Sequence, residues 1–480
     1  MRLIFERVIC IRFSMVALAI LLFTGNINSN DWSQFRGPNG SGVSETGKLP
    51  AEFGQEKNLV WKTALPPGHS SPVLTTDYIF LTAVDKNTLL TICLNRNTGE
   101  IRWQKTAPRL REEHVDYRSS PAAASPVTDG SNVYVFFQDF GLLAYDLDGN
   151  ELWQHPLGPF DNVYGMGASP ILVEDKLIFV SDQSTNSYII ALDKNTGKQL
   201  WHTERREAKS GHCTPVLYQT EAGEIQVVVP GSFLLTAYSP ETGEKIWWVR
   251  GLSFEMKSTP VMKDDVLYIN GYGSPLNQPE NQVELPPFEE TLATQDADGN
   301  GVISKAEMPE MPASNWFSFV DLDGDSVLNA GDWAYFRAAL ASLNGMLAIR
   351  LGGNGDMTEH NLLWQYRKSV PQLPSPLLYK NVLYMINDGG IATSFKPETG
   401  EVIKQGRLKG ANDQYYASPV AADGKVFMVS RKGKISVLNP DGSLEVTAVN
   451  DLAEQCYATP AIANGRIYIR TVKALYCFGK

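Results

Sequence analysis

Short strands with alternating apolar residues, separated by glycine turns, recur along most of this chain. The clearest copy spans residues 168–201, where the apolar strands Lys176–Ser181 and Tyr188–Asp193 follow Ser169-Pro170. An apolar residue at every second position is typical of a strand with one buried face. Gly197 closes the next turn, because glycine adopts the positive φ that tight hairpins need. The pattern predicts a repeated four-stranded unit.

Eight Ser-Pro or Thr-Pro dipeptides mark the starts of these units. Six of the seven intervals between them are 41–54 residues and one is 116, for starts at Ser71, Ser125, Ser169, Thr214, Thr259, Ser375, Ser418 and Thr459. Four-stranded repeats of this length predict a β-propeller. Proline suits the innermost strand, whose inner edge has no partner that needs its N–H. We therefore predict an all-β fold, an eight-bladed β-propeller of four-stranded blades.

The last unit has room for only three strands, and an earlier segment can provide the fourth. Residues 58–62, with Trp61, resemble the fourth strands of other units, which carry Trp103, Trp153 and Trp201. We predict that this N-terminal strand completes the last blade, which removes the open edges of the ring. The tryptophans then lie in the outermost strands and pack between blades.

The turns before these tryptophans have a recurring spacing. Asn195-Thr196-Gly197 precedes Trp201, and Glu241-Thr242-Gly243 precedes Trp247. This spacing resembles the quinoprotein-type (PQQ-like) β-propeller repeat, over about 58–273 and 344–480. The resemblance implies eight blades. The family includes periplasmic dehydrogenases, an outer-membrane assembly scaffold and many secreted proteins without known activity.

The N-terminus has the features of an export signal. Arg2, Arg7 and Arg12 precede a short apolar run at 13–23 and a polar exit. We predict a secretory signal peptide over 1–29, an uncleaved signal anchor being the alternative. A strap packed on the ring would follow over 30–57, where the start resembles a leader of secreted family members. The mature protein is then a periplasmic or extracellular monomer with no integral membrane segment.

The long interval holds an acidic, helical insertion at 274–343, between propeller segments 58–273 and 344–480. The insertion contains 12 acidic and 2 basic residues, which leaves 41 acidic and 40 basic residues elsewhere. The net charge of -11 therefore comes almost entirely from the insertion. No basic cluster favours nucleic acid as a partner.

Residues 296–307 match the calcium-binding EF-hand loop at each diagnostic position. Oxygen ligands alternate along the loop, and Gly301 provides the sharp turn at the sixth position. A hard cation such as Ca²⁺ takes about six to eight oxygen ligands. The predicted ligands are Asp296, Asp298, Asn300, the Val302 carbonyl, Ser304 and Glu307.

Residues 321–332 form a second, less regular loop. Ser326 stands where glycine is usual, at a positive-φ cost of roughly 1 kcal/mol, and position twelve carries an aspartate in place of glutamate. We predict a weaker second Ca²⁺ site with the ligands Asp321, Asp323, Asp325, the Val327 carbonyl, Asn329 and Asp332. Paired EF-hands join by a short β-bridge at position eight, here Ile303 and Leu328. A dockerin-like pair is a competing description.

The residues just before each Ser/Thr-Pro carry the most varied chemistry. They lie in connections that should converge on one face, near the propeller axis, and they mix aromatic rings, donors and cations. This mixture predicts a binding site for a planar or anionic ligand, lined by His69, Arg118, Tyr164, His212, Lys257, Tyr415, Tyr416 and Tyr457. The insertion leaves from a connection on the same face, so we expect it beside this channel mouth.

Two functions from different classes fit these observations. The first is a secreted calcium-binding propeller that acts as a binding or scaffold module for a protein, peptide or glycan. The alternative is a PQQ-dependent periplasmic dehydrogenase, for which the resemblance implies a quinone on a tryptophan floor, a disulfide between neighbouring cysteines, a channel calcium and an Asp base. The chain has no adjacent cysteine pair. We favour the binding module, with Ca²⁺ but not PQQ bound, over catalysis; if the protein is an enzyme, the prediction is a quinoprotein oxidoreductase.

Four cysteines follow the signal: Cys93, Cys213, Cys456 and Cys477. The repeat register assigns Cys213 and Cys456 to opposite sides of the channel, and Cys93 and Cys477 to third strands of neighbouring blades. Neither pairing readily brings the Cα atoms within about 7 Å, the limit for a disulfide. We therefore predict free thiols.

Overall fold

A computed structural model describes residues 32–273, 277–278 and 282–480, so the predicted signal peptide lies outside the described residues. Eight four-stranded antiparallel units make up the fold, one of them extended by a fifth strand. The predicted eight-bladed β-propeller is confirmed. Blades are numbered here from the first Ser-Pro.

Each blade of the first half runs from an innermost to an outermost strand in chain order. The strands of blades 1 and 2 are β2 (Val73–Leu74), β3 (Tyr78–Asp85), β4 (Thr88–Asn95), β5 (Ile101–Ala107), β6 (Val127–Thr128), β7 (Asn132–Phe137), β8 (Gly141–Asp146) and β9 (Glu151–Pro156). Those of blades 3 and 4 are β10 (Ile171–Val173), β11 (Lys176–Ser181), β12 (Tyr188–Asp193), β13 (Gln199–Glu204), β14 (Val216–Gln219), β15 (Ile225–Gly231), β16 (Leu234–Tyr238) and β17 (Lys245–Arg250).

The second half contains the interrupted blade and the closing blade. The strands of blades 5 and 6 are β18 (Val261–Lys263), β19 (Val266–Gly271), β22 (Gly345–Arg350), β24 (Leu362–Tyr366), β25 (Leu377–Tyr379), β26 (Val382–Ile386), β27 (Ile391–Phe395) and β28 (Val402–Arg407). Those of blades 7 and 8 are β29 (Val420–Ala422), β30 (Lys425–Val429), β31 (Lys434–Leu438), β32 (Val446–Asp451), β33 (Ala461–Ala463), β34 (Arg466–Arg470), β35 (Ala474–Gly479) and β1 (Leu59–Ala64).

The N-terminal strand closes the ring. β1 pairs antiparallel with β35, with Trp61 opposite Cys477. Blade 8 is thus built from both ends of the propeller sequence, as the short last unit predicted. The sheet order β1-β35-β34-β33 gives this blade the same four strands as its neighbours.

The core lies between blades, around their second and third strands. β11 is buried at all six positions, whereas the outermost strand β13 is exposed at four positions and partly buried at two. A middle strand is covered on both faces by neighbouring blades, so it is apolar almost throughout. The four cysteines of the described chain are buried free thiols, and burial raises the pKa of Cys93, Cys456 and Cys477 to about 12.

The Thr-Gly turn and the tryptophan of the repeat form one contact between blades. A Cβ on Gly197 would come within 2.6 Å of the Trp153 ring of the preceding blade, so only glycine lets the ring approach. The indole Nε1 then donates to a carbonyl of the next blade in the pairs Trp61–Arg96, Trp103–Leu147, Trp153–Lys194, Trp201–Pro240 and Trp364–Pro397. This packing explains the repeat spacing without a functional role.

Blade 4 departs from the pattern at its outer edge. The short strand β23 (Gly355–Asp356), from the third turn of blade 5, pairs parallel with β17. Trp247 is fully buried and its Nε1 donates to Gln226 of its own blade, at 2.8 Å. The added strand covers an edge that other blades leave open.

The insertion lies between β19 and β22, and most of the regular elements in its described part are helices. Its elements are α1 (Phe288–Gln295), β20 (Ile303–Ser304), a 3₁₀ turn (Pro312–Trp316), α2 (Phe317–Val320), β21 (Val327–Leu328) and α3 (Ala330–Ala341); α4 (Thr358–Asn361) follows in blade 5, and a 3₁₀ turn (Pro38–Gly40) precedes the propeller. Ile303 pairs with Leu328, as the loop register predicted. No described helix has the length and apolar content needed to cross a membrane.

Candidate functional site: a blind pocket on the propeller axis

A ring of hydroxyl groups surrounds the propeller axis. At seven of the eight Ser/Thr-Pro dipeptides, the backbone N–H of the Ser or Thr donates to the hydroxyl oxygen of the equivalent residue in the next blade. The described residues make seven such bonds of 2.9–3.1 Å, namely Ser71 to Ser125, Ser125 to Ser169, Ser169 to Thr214, Thr259 to Ser375, Ser375 to Ser418, Ser418 to Thr459 and Thr459 to Ser71. Each of these hydroxyls keeps its own proton to donate.

The strap that precedes β1 crosses the axis on one face. Trp32 forms a two-way backbone bridge with Leu74 of blade 1, and Asn39 exchanges hydrogen bonds with the Leu217 backbone of blade 4. The buried Arg36 donates to the Pro376 carbonyl of blade 6 at 2.7 Å. Phe35, held between these contacts, lines the axial pocket. The strap therefore makes the channel a blind pocket, open on the opposite face.

The pocket encloses about 210 Å³ and is lined by residues from the connections between blades. Those sequence-predicted residues that the structure brings together here are His69, Arg118, Tyr164, His212, Lys257, Tyr416 and Tyr457. Tyr415 was wrongly assigned to this group. It is fully buried, and its hydroxyl donates to the Ala411 carbonyl within the blade core.

Two histidines of the pocket are held neutral. Burial and the nearby Arg470 charge lower the pKa of His69 to about 4, against a hydrogen bond to the Arg118 backbone. Burial and the Lys257 charge lower the pKa of His212 to about 3. Both imidazoles are therefore uncharged at neutral pH, and neither has a carboxylate partner that would prepare it for acid–base chemistry.

Each cation of the pocket lies against a carboxylate of its own connection. Arg118 donates to both oxygens of Asp116, at 2.6 and 3.1 Å. These bonds raise the pKa of Arg118 and lower that of Asp116. Lys257 donates to the Glu255 carbonyl at 3.0 Å and to its carboxylate at 3.1 Å. Burial lowers the pKa of Lys257, and the Glu255 charge opposes this shift.

Aromatic rings form the opposite wall. His69 stacks on Tyr457 with ring centres 4.1 Å apart and planes 9° from parallel. Tyr416 lies 5.7 Å from Tyr457, and the Arg431 guanidinium lies 5.9 Å from both tyrosine rings. The pocket thus has a polar side, built by ion pairs, and an aromatic side.

The insertion packs against two of the connections that form the pocket. Lys209 donates to the Phe319 carbonyl at 2.6 Å, and Phe254 lies 5.5 Å from the Phe319 ring. Lys209 and Phe254 each lie three residues before a pocket residue, His212 and Lys257. The insertion therefore lies on the open face of the pocket, against its wall.

The first acidic loop is organised by hydrogen bonds from its own backbone. Asp296 accepts from the N–H groups of Gly299, Asn300 and Gly301, at 2.8–3.1 Å. Glu307 accepts from Ala297 through one oxygen and from Ser304 through the other. Carboxylate oxygens of Asp296, Asp298 and Glu307 lie within 4.8 Å of one another.

The second loop has a similar hydrogen-bond arrangement, but a different set of carboxylates converges in it. Asp321 accepts from the N–H groups of Gly324 and Ser326, and Asp332 accepts from those of Leu322 and Asn329. Ser326 has a φ of 69°, the left-handed conformation that the loop requires at this position. The convergent carboxylates here are Asp321, Asp323 and Asp325. Asp332 is not among them, in contrast to Glu307 of the first loop.

Together the fold and the site define an eight-bladed propeller with a blind, aromatic-walled axial pocket and an acidic helical insertion at its rim. The sequence profile of the family described as outer membrane protein assembly factor BamB matches residues 43–186, 185–280 and 354–438. These segments cover more than half of the chain, and the protein belongs to this family.

Individual relatives are distant. BamB of Yersinia pestis is 22% identical over 314 residues, 61% of this chain and 68% of the relative. BamB of Moranella endobia (strain PCIT) is 30% identical over 107 residues, which is 22% of this chain and 25% of the relative. These matches support family membership and say little about individual site residues.

Solved structures share the fold. BamB from Moraxella catarrhalis is 13% identical, with a TM-score of 0.53 over 88% of this chain and 100% of that one. A europium-containing methanol dehydrogenase is 11% identical, with a TM-score of 0.57 over 93% and 91%. A quinohemoprotein alcohol dehydrogenase from Comamonas testosteroni is 11% identical, with a TM-score of 0.57 over 94% and 80%. At these identities the likeness concerns the propeller alone.

The pocket does not fit the PQQ group that the quinoprotein resemblance implies. Among the described residues that line it there is no tryptophan to form a floor and no cysteine. Asp116 is the one carboxylate in this lining, and Arg118 already binds both of its oxygens. A PQQ-bound calcium would need free carboxylate oxygens, which the described lining does not offer.

Proposed function

We propose that this protein is an exported, calcium-binding β-propeller that acts as a binding or scaffold module in the periplasm or outside the cell. The observation that carries this proposal is the pair of acidic loops with matching hydrogen-bond patterns, seated at the rim of a preformed pocket. The relatives named as outer membrane protein assembly factors make a scaffold role among other proteins the favoured context.

Calcium would occupy the centres of the two loops. Carboxylates that converge within 4.8 Å repel one another, and a divalent cation relieves this repulsion. The first loop offers Asp296, Asp298, Asn300, Ser304 and Glu307 side chains with the Val302 carbonyl. The second offers three convergent aspartates and a shorter position-twelve side chain, so we expect it to bind calcium more weakly.

The pocket would hold the ligand. Its cations are neutralised by their own carboxylates, and its histidines are uncharged, so the groups are arranged for recognition rather than for proton transfer. The insertion packs on the connections that bear His212 and Lys257. Calcium binding would therefore stiffen one wall of the pocket.

A calorimetric titration tests the calcium part of this proposal. The chelated full-length mature protein should bind two calcium ions, with the first loop the tighter site, and its melting temperature should rise with calcium. Asp296→Ala should remove one ion from the stoichiometry. A matched control is Glu289→Ala, in the exposed first turn of α1, which should leave the titration unchanged. A flat titration of the wild-type protein would refute the proposal.

A further inference from the structure

Two ion pairs, each neutral overall, flank the aromatic ring of Tyr164 in the pocket. The Arg118 guanidinium lies 5.5 Å from the Tyr164 ring centre, and the Lys257 ammonium lies 5.0 Å from it. Asp116 and Glu255 lie beside these cations, at hydrogen-bonding distance. Of these four charged side chains, Asp116, Arg118 and Lys257 line the pocket, and Glu255 pairs with Lys257 outside the lining. The pocket thus presents donors next to an acceptor without an unbalanced charge.

This pairing selects for hydroxyl groups. A hydroxyl donates one hydrogen bond and accepts others, so it can accept from the cation and donate to the carboxylate of one pair. A carboxylate or ammonium ligand would have to compete with an existing ion pair and leave one of its members without a partner, which costs most at the nearly buried Lys257–Glu255 pair. The polar side therefore favours a neutral ligand with several hydroxyls.

The opposite wall suits an apolar face. Tyr416, Tyr457 and the stacked His69 present aromatic rings to the cavity. A sugar ring has hydroxyls around its edge and C–H groups on its faces, and C–H groups pack well on aromatic rings. Placed between the two walls, one sugar ring would satisfy both of them.

The size of the pocket limits the ligand to one ring. Its cavity volume is about 210 Å³, which leaves room for about one such ring at the closed end. The strap and Phe35 close the far end, so a chain cannot thread through the channel. The hydroxyl ring of the innermost strands lies around this end and offers further O–H donors.

We propose that the axial pocket binds one neutral hexopyranose ring, as a free monosaccharide or as the terminal unit of a glycan. This inference rests on the proposed binding role of the pocket and names its ligand class. It does not depend on calcium occupancy of the insertion, so the calcium titration can succeed while the sugar proposal fails.

Saturation-transfer NMR and calorimetry on the full-length mature protein test the proposal. D-glucose, D-galactose, D-mannose and N-acetyl-D-glucosamine are the probes, at millimolar concentration in the presence of calcium. At least one should show transfer from the protein. A trisaccharide that ends in the same sugar identifies the source: tighter binding than the monosaccharide points to a glycan terminus, and equal binding to the free sugar.

Two variants tie the signal to the pocket. Tyr164→Ala should weaken sugar binding about tenfold, because the ring between the two ion pairs is lost. Arg118→Gln should weaken it similarly and keeps a donor for Asp116. The control is Val163→Ala, which is next to Tyr164 in sequence but 60% exposed and outside the pocket lining; it should bind normally.

Three results would overturn the proposal. The first is the absence of transfer to all four sugars in a protein that titrates calcium normally. The second is unchanged sugar affinity in both Tyr164→Ala and Arg118→Gln. The third is tighter binding of benzoate, or of an acidic peptide, than of every sugar, since this would make the pocket an anion site.

Discussion

The propeller and the insertion neutralise their acidic groups in opposite ways. In the propeller, the buried Arg205 donates to both oxygens of Asp182, at 2.8 and 3.0 Å, and other carboxylates lie beside lysines or arginines. Within the described part of the insertion, the loop carboxylates form no salt bridge and accept mainly from backbone N–H groups. The first region balances its charge by itself, whereas the second does not, and we propose that a cation from solution balances it.

This difference in charge balance distinguishes the propeller scaffold from the candidate calcium-binding insertion. The propeller repeats its contacts from blade to blade, and its charges sum to nearly zero. The insertion interrupts one blade and carries ten excess negative charges. The propeller, whose carboxylates pair with its own cations, should be insensitive to calcium. The insertion, whose loop carboxylates converge, should respond to it.

The largest effect should come from breaking a buried ion pair of the propeller. Asp182→Ala leaves the Arg205 guanidinium buried beside Tyr238 without its carboxylate. We expect the free energy of unfolding to fall by about 3–5 kcal/mol, measured by urea denaturation, with or without calcium.

A matched control lies in the same blade. Asp175 forms an ion pair with Lys176, but its side chain is 62% exposed, and exposed pairs contribute at most about 1 kcal/mol. Asp175→Ala should therefore change stability little. If the two variants were equally stable, the claim that the propeller relies on internal charge pairing would be wrong.

Calcium removal should affect the insertion and spare the blades. Ligand at about a hundredfold its Kd stabilises the bound form by about 2.7 kcal/mol. Chelation should then speed amide hydrogen exchange in α3 by about a hundredfold, measured by mass spectrometry, while exchange in β11 and β12 stays unchanged. Equal acceleration of exchange in β11 and β12 would show that calcium stabilises the blades as much as the insertion.

The fold was predictable because its contacts are periodic. Gly197 and Trp153 belong to neighbouring copies, and the close approach of ring and glycine recurs at one spacing. The EF-hand-like loops were also visible, because each oxygen position is local in sequence. Periodic contacts and local ligand spacings can therefore be recognised in the sequence without knowledge of the tertiary structure.

The pocket was only partly predictable. Tyr415 and Tyr416 are neighbours, yet one lies in the blade core and the other in the pocket, and the repeat does not specify which side each ring takes. Phe35 comes from a strap outside the repeat, so nothing in the pattern brings it to the axis. The hydroxyl ring was missed although its signal was present, because the Ser/Thr-Pro dipeptide was interpreted through proline alone.

Asp388 is an exception among the charge-paired carboxylates of the propeller, and the pH dependence of the free energy of unfolding should show it. Burial raises the pKa of this aspartate to about 6, against hydrogen bonds from Leu373 and Gln372 and the charges of Lys257 and Arg118. The folded state therefore binds more protons than the unfolded state between about pH 4 and 6, and stability falls as pH rises through that window. Asp388→Asn should abolish this loss, which amounts to roughly 3 kcal/mol by pH 8.

Denaturation of both proteins from pH 4 to pH 8 measures the difference. The two should be similar at pH 4, and the variant should be the more stable at pH 8. Asp441→Asn is a control of opposite sign, because hydrogen bonds from Ser443 lower the pKa of Asp441. A wild-type stability that does not fall relative to Asp388→Asn would contradict the assignment.

The smallest effect should distinguish the two loops of the insertion. Ser326 adopts a φ of 69° where the first loop has Gly301 at 81°, and a non-glycine residue there costs roughly 1 kcal/mol. Ser326→Gly should therefore stabilise the second loop and tighten its calcium affinity about fivefold, measured by calorimetry, with the first site unchanged. The reverse substitution, Gly301→Ser, should weaken the first site by a similar factor. Should Ser326→Gly leave the weaker site unaltered, the shorter Asp332 rather than backbone strain would account for the difference between the loops.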